Sequence, residues 1–213
     1  GHSSAPRPEN AIVQLSDALG KIGAYRFKAE LSPLTKAYFE KAAQFETDPK
    51  LAAAMRAFAA NPQDEAALAV LRANPSTVGK VGTTCVATMI HGGHAQNALP
   101  QRVTANVNCR IFPGHSREEI RRELAGVAAS DVVKITDVTG EDSIESPASP
   151  MRADFIGAVG RAIGQTYPGI AIIPGQSSGA TDSMWYRALG VPSYAASPTF
   201  SKDSEDFSHG LNE

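Results

Sequence analysis

The sequence lacks several features that would narrow its function at once. Its formal net charge is only −2 over 213 residues, so no basic excess favours nucleic acid or an anionic membrane surface. No apolar run approaches the roughly 20 residues that span a bilayer. We therefore expect neither nucleic acid nor a membrane as a partner. The chain begins at Gly1 rather than Met, so we expect a missing or processed natural start, and the compartment stays open.

Cysteine is also scarce. Cys85 and Cys109 are the only two, which is too few for a disulfide-stabilised scaffold. Both fall on neighbouring predicted strands and could face each other. We nevertheless expect two reduced cysteines that serve as small core side chains.

The clearest pattern is a predicted β-hairpin within residues 81–114. Residues 83–90 are rich in Thr, Val, Ile and Met, and a Gly-Gly pair then breaks the run. Residues 103–111 alternate, with apolar side chains on one face and Thr, Asn and finally Arg110 on the other. On spacing alone this is an ordinary solvated sheet face. As a ligand-binding face, it would offer Asn97 and Arg110 to a small anionic ligand.

Helical patterns flank the hairpin. Asn10 is a predicted cap for a helix over 11–22 that Gly23 closes, and three further helical pieces follow over 34–45, 50–60 and 66–73. Beyond the hairpin, Ser116 caps a helix, and 132–138 alternates like a strand. This order is one strand short of βαββαβ, and the missing first strand would lie just before Gly1.

A second unit follows a linker-like stretch over 139–150. It contains a predicted helix over 151–163, short strands over 170–173 and 193–196, and a loop of small residues over 175–182. In such α/β arrangements ligands bind at the carboxyl ends of strands, where this loop falls. We expect one domain over 1–143, with a helical insertion at about 28–80, and a second over 144–213.

Four local motifs together resemble one family, the zinc-dependent exopeptidases and deacylases that include aminoacylase, glutamate carboxypeptidase and succinyl-diaminopimelate desuccinylase. The motifs are Gly1-His2-Ser3-Ser4-Ala5-Pro6 before Asn10-Ala11-Ile12, Gly92-Gly93 with Asn97-Ala98-Leu99-Pro100 and Arg110, Ser178-Gly179-Ala180-Thr181-Asp182 before Leu189-Gly190-Val191-Pro192, and His209-Gly210-Leu211-Asn212-Glu213. The order matches the family over nearly the whole chain, apart from the helical insertion.

The resemblance implies an α/β (α+β) fold. A ferredoxin-like βαββαβ lid domain with a helical insertion would precede the C-terminal part of an α/β zinc-peptidase catalytic domain. It also implies a homodimer formed through the lid, two zinc ions per subunit of the complete enzyme, and hydrolysis of an amide bond in a peptide or N-acyl amino acid.

The same resemblance assigns roles to single residues. His2 matches a lid histidine that supports the oxyanion in the partner subunit's active site. Asn97 and Arg110 match residues that hold the substrate carboxylate, and a guanidinium pairs both carboxylate oxygens. Two further matches complete the set: Gly179 and Thr181 correspond to the loop that contacts substrate, and His209 corresponds to the C-terminal zinc ligand.

Other polar residues have simpler interpretations. His91 and His94 form a His-x-x-His pair, but no acidic or cysteine partner lies near them in sequence, so we do not assign a metal there. Asp182 is interpreted as a helix N-cap rather than a functional group.

The chain departs from the family in lacking its first half. It has no His-x-Asp motif, and its only Glu-Glu pair, Glu118-Glu119, lies in a predicted helical first turn. Zinc hydrolysis needs about three protein ligands and a base. We therefore expect the isolated chain to be inactive, as a fragment or as one part of a larger enzyme. Two alternatives remain: a non-catalytic dimerisation module, and a ferredoxin-like regulatory domain that binds amino acids through Asn97 and Arg110.

Overall fold

A computed structural model describes residues 1–141 and 143–196, and His209 lies outside these residues. The described chain has an α+β fold with eight helices and two strands. In order, these are α1 (Ala11–Ala24), α2 (Pro33–Ala42), α3 (Pro49–Ala60), α4 (Glu65–Ala73), α5 (Pro75–Val78), β1 (Thr84–Gly92), β2 (Val103–Arg110), α6 (Arg117–Ala128), α7 (Ala153–Thr166) and α8 (Ser183–Ala188). None of the described helices is long and apolar enough to cross a membrane.

Local capping explains where α1 and α6 begin. The side chain of Asn10 accepts a hydrogen bond from the Ile12 N–H at 2.9 Å. Ser116 and Glu119 form a reciprocal capping box at the start of α6, so both predicted starts are confirmed. The prediction that Gly23 ends α1 is wrong, because glycine also tolerates helical angles and the helix continues to Ala24.

The two strands form the predicted antiparallel hairpin. Thr84 lies opposite Arg110, and the register shifts between Ala87 and Met89, where β1 has an extra residue. Such a bulge bends the strand and turns its remaining side chains.

The expectation of two reduced cysteines is wrong. Cys85 and Cys109 lie directly opposite each other in the register and form a disulfide, with their Cα atoms 4.1 Å apart. Directly opposed positions of an antiparallel pair bring side chains within reach of each other. Two cysteines are too few for a disulfide-based scaffold, but they suffice to crosslink one hairpin.

One face of the hairpin packs against α1 and α6. The buried residues of this core are Ala18, Ile22, Phe27, Ile120, Leu124 and Ala128. Val107 and Cys109 pack against them, whereas Asn108 and Arg110 point to the exposed face. The alternation predicted for β2 is therefore confirmed.

The helices α2 to α5 form a second core of their own. Phe39, Phe58 and Leu71 are fully buried there, and the rings of Phe39 and Phe58 meet edge to face at 5.1 Å. The third predicted helical piece ends at Ala73 as expected, with Asn74 as the C-cap of α4. Asn74 also caps the short helix α5, which the sequence did not predict. This helical insertion is thus a packed unit rather than a flexible loop.

The predicted strand over 132–138 is not formed. Val133 and Ile135 pack against the core of α1 and α6, while Val132 and Val138 are 62% and 78% exposed. Residues of this segment, of β2, of α1 and of α6 line one cavity. An alternating segment without a neighbouring strand has no hydrogen-bond ladder to join, so the sheet of the described chain has two strands.

The described residues beyond 143 form α7 and α8 but none of the predicted strands. Neither helix buries a residue, although α7 is amphipathic. Polar and aromatic contacts join the two ends of this segment: the Ser149 hydroxyl donates to the Ser193 carbonyl at 2.7 Å, and Phe155 stacks on Tyr194. A strand needs a hydrogen-bonded neighbour, and the described residues provide none for 170–173 or 193–196.

Candidate functional site

Pairing between the N-terminal segment and the loop after β1 positions His2. An isolated β-bridge joins His2 to Ala98, and the Ser3 N–H donates to the Asn97 carbonyl at 2.8 Å. This pairing brings the Asn97 amide within 3.1 Å of His2 Nε2. Two predicted site residues that are distant in sequence are therefore in direct contact.

Both ring nitrogens of His2 lie within hydrogen-bond distance of a partner. Nδ1 lies 2.7 Å from the Ser4 hydroxyl and 3.2 Å from the Ser4 backbone nitrogen. Nε2 lies 3.1 Å from the Asn97 side-chain nitrogen. Both side chains are exposed, so the pair is accessible to another molecule.

Arg110 ends β2 on the polar face of the hairpin. Its side chain is exposed, and no hydrogen bond or ion pair within the described part of the chain engages the guanidinium. Several other arginines are paired, such as Arg121, which makes two hydrogen bonds to Glu118. Arg110 is thus a cation whose five N–H donors are available for an anion.

The loop over 176–182 is exposed apart from half-buried Gln176 and connects directly to α8. The Gly179 N–H donates to the Ser177 hydroxyl at 3.1 Å, and the Thr181 carbonyl accepts from the Met184 N–H at 3.0 Å. Asp182 occupies the N-cap position of α8, as predicted, but its side chain makes no capping hydrogen bond.

Arg110, Gly179 and Thr181 line one cavity, the same one that β2 and residues 132–138 line. Basic side chains outnumber acidic ones around it. His2 and Asn97 do not line this cavity. The predicted site residues therefore form two groups, His2 with Asn97 and Arg110 with Gly179 and Thr181.

The described residues do not fit a metal centre. No group of three or more His, Cys, Asp or Glu side chains within 1–141 and 143–196 could hold a metal ion. His209, the predicted ligand, falls outside these ranges. His91 and His94 are exposed at the end of β1 and in the following turn.

Sequence reasoning missed the contacts between the helical insertion and the segment before Gly179. The Lys41 ammonium donates to the Ile172 carbonyl at 3.3 Å, and Gly79 closely approaches Ser178. It also missed Arg102 and Lys134, which line the cavity without an ion pair in the described chain. Only their charge could have signalled them, because their neighbours form no recognisable motif.

Comparison with known proteins shows the family of this chain. Residues 1–136 match the family model described as the peptidase dimerisation domain, that of the M20 peptidases. The match covers the hairpin, both of its packing helices and the helical insertion. The chain therefore belongs to the M20 peptidase family, and the resemblance drawn from its four motifs is confirmed.

Individual relatives are more distant and considerably longer. The chain is 27% identical over 220 residues to N-fatty-acyl-amino acid synthase/hydrolase PM20D1.1 of Danio rerio, covering 100% of this chain and 41% of that protein. It is 27% identical over 225 residues to PM20D1 of Mus musculus, at 100% and 42% coverage. It is 26% identical over 215 residues to Probable carboxypeptidase S-like 2 of Dictyostelium discoideum, at 100% and 40%. The chain thus spans about two fifths of the length of these relatives. No solved structure matches it.

Proposed function

We propose that the intact protein is a metal-dependent amide hydrolase that acts on a peptide or N-acyl amino acid, and that this chain supplies its dimerisation and carboxylate-binding parts. One observation carries the proposal: the unengaged guanidinium of Arg110 lines the same cavity as Gly179 and Thr181. The names of the relatives support the substrate class, since they describe hydrolases of fatty-acyl amino acids and carboxypeptidases. Both kinds of substrate carry a free carboxylate beside the amide.

Arg110 would bind that carboxylate through two parallel N–H donors, a geometry a lysine does not reproduce. Gly179 and Thr181, which line the same cavity, would contact the backbone of the substrate. His2 would stabilise the oxygen of the amide under attack through its ring, and Asn97, whose side-chain nitrogen lies 3.1 Å from Nε2, would orient that ring. Because His2 and Asn97 do not line the cavity, their action on a partner subunit's substrate is the simplest arrangement.

Two zinc ions remain the proposed cofactor of the intact enzyme, on the resemblance alone. The described residues offer no metal site. Apart from His209, the zinc ligands would therefore lie outside this chain. The proposed domain division is a lid over 1–143, with its insertion at about 28–80, and a catalytic portion over 144–213.

The test is substitution of Arg110 by Gln in the full-length protein. Kinetics are measured on an N-acyl amino acid and on the matching N-acyl amine, which lacks the carboxylate. Losing one partner of a charge-assisted pair costs about 2 kcal/mol or more, so we expect kcat/KM for the acid to fall by roughly thirtyfold. The amine should be unaffected. Arg161→Gln, on the exposed face of α7 and away from the cavity, is the matched control.

An equal loss on both substrates, or no loss on the acid, would contradict the carboxylate-binding role. Hydrolysis of neither substrate by the unmodified full-length protein would favour the second candidate, a non-catalytic dimerisation module. The exposed edge of β1 supports that alternative, since an unpaired edge can join the same edge of a second copy.

A further inference from the structure

The helical insertion touches the loop that precedes Gly179 at one tight point. A Cβ atom built on Gly79 would lie 2.7 Å from Ser178 Cβ and 2.8 Å from its Oγ, closer than non-bonded atoms approach. The backbone of Gly79 has φ −75° and ψ −4°, which any residue can adopt. Glycine is therefore required here by its neighbour Ser178 and not by its own conformation.

One hydrogen bond joins the same surfaces, and a second pair of residues lies close. The Lys41 ammonium donates to the Ile172 carbonyl at 3.3 Å. A Cβ atom built on Gly175 would lie 4.0 Å from the Tyr38 ring. The Lys80 ammonium lies 5.0 Å from the centre of the Tyr38 ring and donates to the Ser76 carbonyl. Burial lowers the pKa of Lys80 and raises that of Tyr38, as expected where the two surfaces exclude water.

The insertion side of this contact is rigid. Thr77 is fully buried two residues before Gly79, and its hydroxyl donates to the Leu71 carbonyl at 2.6 Å. The loop side has little support of its own, since the hydrogen bond from the Gly179 N–H to the Ser177 hydroxyl is local and exposed. A rigid surface against a weakly supported loop determines the position of the loop.

We propose that the helical insertion positions the substrate-binding loop through the Gly79–Ser178 contact, and thereby determines how Gly179 and Thr181 meet the substrate. Gly79 and Ser178 are positioning residues, and Tyr38 and Lys80 form the adjoining wall. The inference rests on the proposed function, because it takes the loop over 176–182 to contact substrate. It assigns the insertion a role in substrate binding in addition to its packing.

The experiment uses Gly79→Ala, Ser178→Gly and the double variant in the full-length protein. Gly79→Ala adds the one methyl group that meets Ser178, and Ser178→Gly removes the side chain that it meets. Gly126→Ala, on α6 with nothing within 4 Å of the added Cβ, is the control. The first readout is acrylamide quenching of the fluorescence of Trp185, which is the only tryptophan in this sequence and lies three residues after Asp182. Any further tryptophan in the full-length protein would be replaced by Phe.

We expect Gly79→Ala to change the quenching of Trp185 and to raise KM by about tenfold while kcat changes less, since small misplacements of binding groups weaken catalysis strongly. The double variant should recover both values, and Gly126→Ala should match the unmodified protein. Unchanged quenching in Gly79→Ala, or failure of Ser178→Gly to restore it, overturns the proposal. The quenching could change in Gly79→Ala and recover in the double variant while KM stays constant. That result would overturn the part of the proposal that concerns substrate binding.

Two provisions keep the test decisive. If Gly79→Ala does not fold, Ser178→Val brings bulk to the same contact from the loop side, and unchanged Trp185 quenching then overturns the proposal. Failure of the proposed function can be distinguished from failure of this proposal, because the quenching of Trp185 and its recovery in the double variant are measured without catalytic turnover. An inactive protein in which the rescue holds would overturn the amide-hydrolase assignment and leave the positioning contact standing.

Discussion

His115 joins the turn before α6 to the segment that leads into the helical insertion. Its Nε2 lies 2.8 Å from Glu30 Oε2, and its Nδ1 lies 4.0 Å from Glu119 Oε2. The hydrogen bond to Glu30 raises the pKa of the imidazole above its ordinary value, and the charges of Glu30, Glu119 and Glu123 act in the same direction against a smaller effect of burial. The ring is partly exposed, so solvent weakens the pairing.

A raised pKa in the folded chain makes stability depend on pH. The protonated ring stabilises the fold fully below the unfolded pKa of about 6.5, and this contribution is lost as pH rises through the folded value. We expect His115→Gln to lower the urea midpoint at pH 5.5 more than at pH 8.5. His94→Gln, in the exposed turn after β1, is the control. It should leave the difference between the urea midpoints at pH 5.5 and pH 8.5 as it is in the unmodified protein. Equal loss at both pH values in His115→Gln would argue against the ion pair.

At the scale of elements, the disulfide fixes the hairpin that carries Arg110. Cys85 and Cys109 are 24 residues apart, and a crosslink over a loop of that length stabilises by about 3 kcal/mol on chain entropy. Both side chains are half-buried against the core of α1 and α6, so they would remain packed after reduction.

We expect a reductant to lower the urea midpoint of the chain by an amount equivalent to about 3 kcal/mol. The double variant Cys85→Ala, Cys109→Ala should be equally destabilised and insensitive to reductant, which makes it the matched control. Titration of free thiols under denaturing conditions, before reduction, checks the premise. Two free thiols in the purified protein, or a midpoint that reductant does not move, would refute the crosslink.

The sequence predicts the helices of this chain better than its strands, for a physical reason. Asn10 and Ser116 start their helices through contacts that span two or three residues, which a sequence displays directly. The segment over 132–138 alternates as a strand should, but a strand exists only with a neighbour, and the neighbour is a property of the whole fold. The hairpin is predicted correctly because its two strands, β1 and β2, follow each other along the chain.

The same distinction applies to the site. Family motifs pointed to His2 and Asn97, and the structure adds their direct contact at 3.1 Å. The close approach of Gly79 to Ser178 has no sequence signature, because glycine most often indicates a turn and here it makes room for a residue about a hundred positions away. Contacts between distant segments are what the sequence leaves unspecified.

At the scale of the whole molecule, apolar surface remains exposed in two regions. One is the edge strand β1, where Val86, Met89 and Ile90 are 61%, 55% and 56% exposed. The other is the segment with α7 and α8, where Leu189 is 81% exposed. Large exposed apolar patches usually mark surfaces that another polypeptide covers.

The first region suits a second copy of the same chain, as the dimerisation-domain family suggests. An antiparallel pairing of two β1 edges is symmetric, so each residue of the interface occurs in it twice, once from each subunit. Ile90→Glu would bury two unpaired carboxylates, each at a cost of at least 1–2 kcal/mol, and we expect the dissociation constant to rise by about a hundredfold or more. Leu189→Glu, at an apolar and exposed position directly after α8, should leave it unchanged.

Sedimentation equilibrium over a range of concentrations measures both variants against the unmodified protein. A monomer at every concentration would exclude the edge-paired dimer, and an Ile90→Glu protein as tightly associated as Leu189→Glu would move the interface away from β1. The outcome also bears on catalysis. His2 and Asn97 lie together but do not line the cavity of Arg110, and in the proposed function they would act on the substrate held by the other subunit. If the proposed function holds, Ile90→Glu should therefore lose hydrolysis and association over the same range of concentrations.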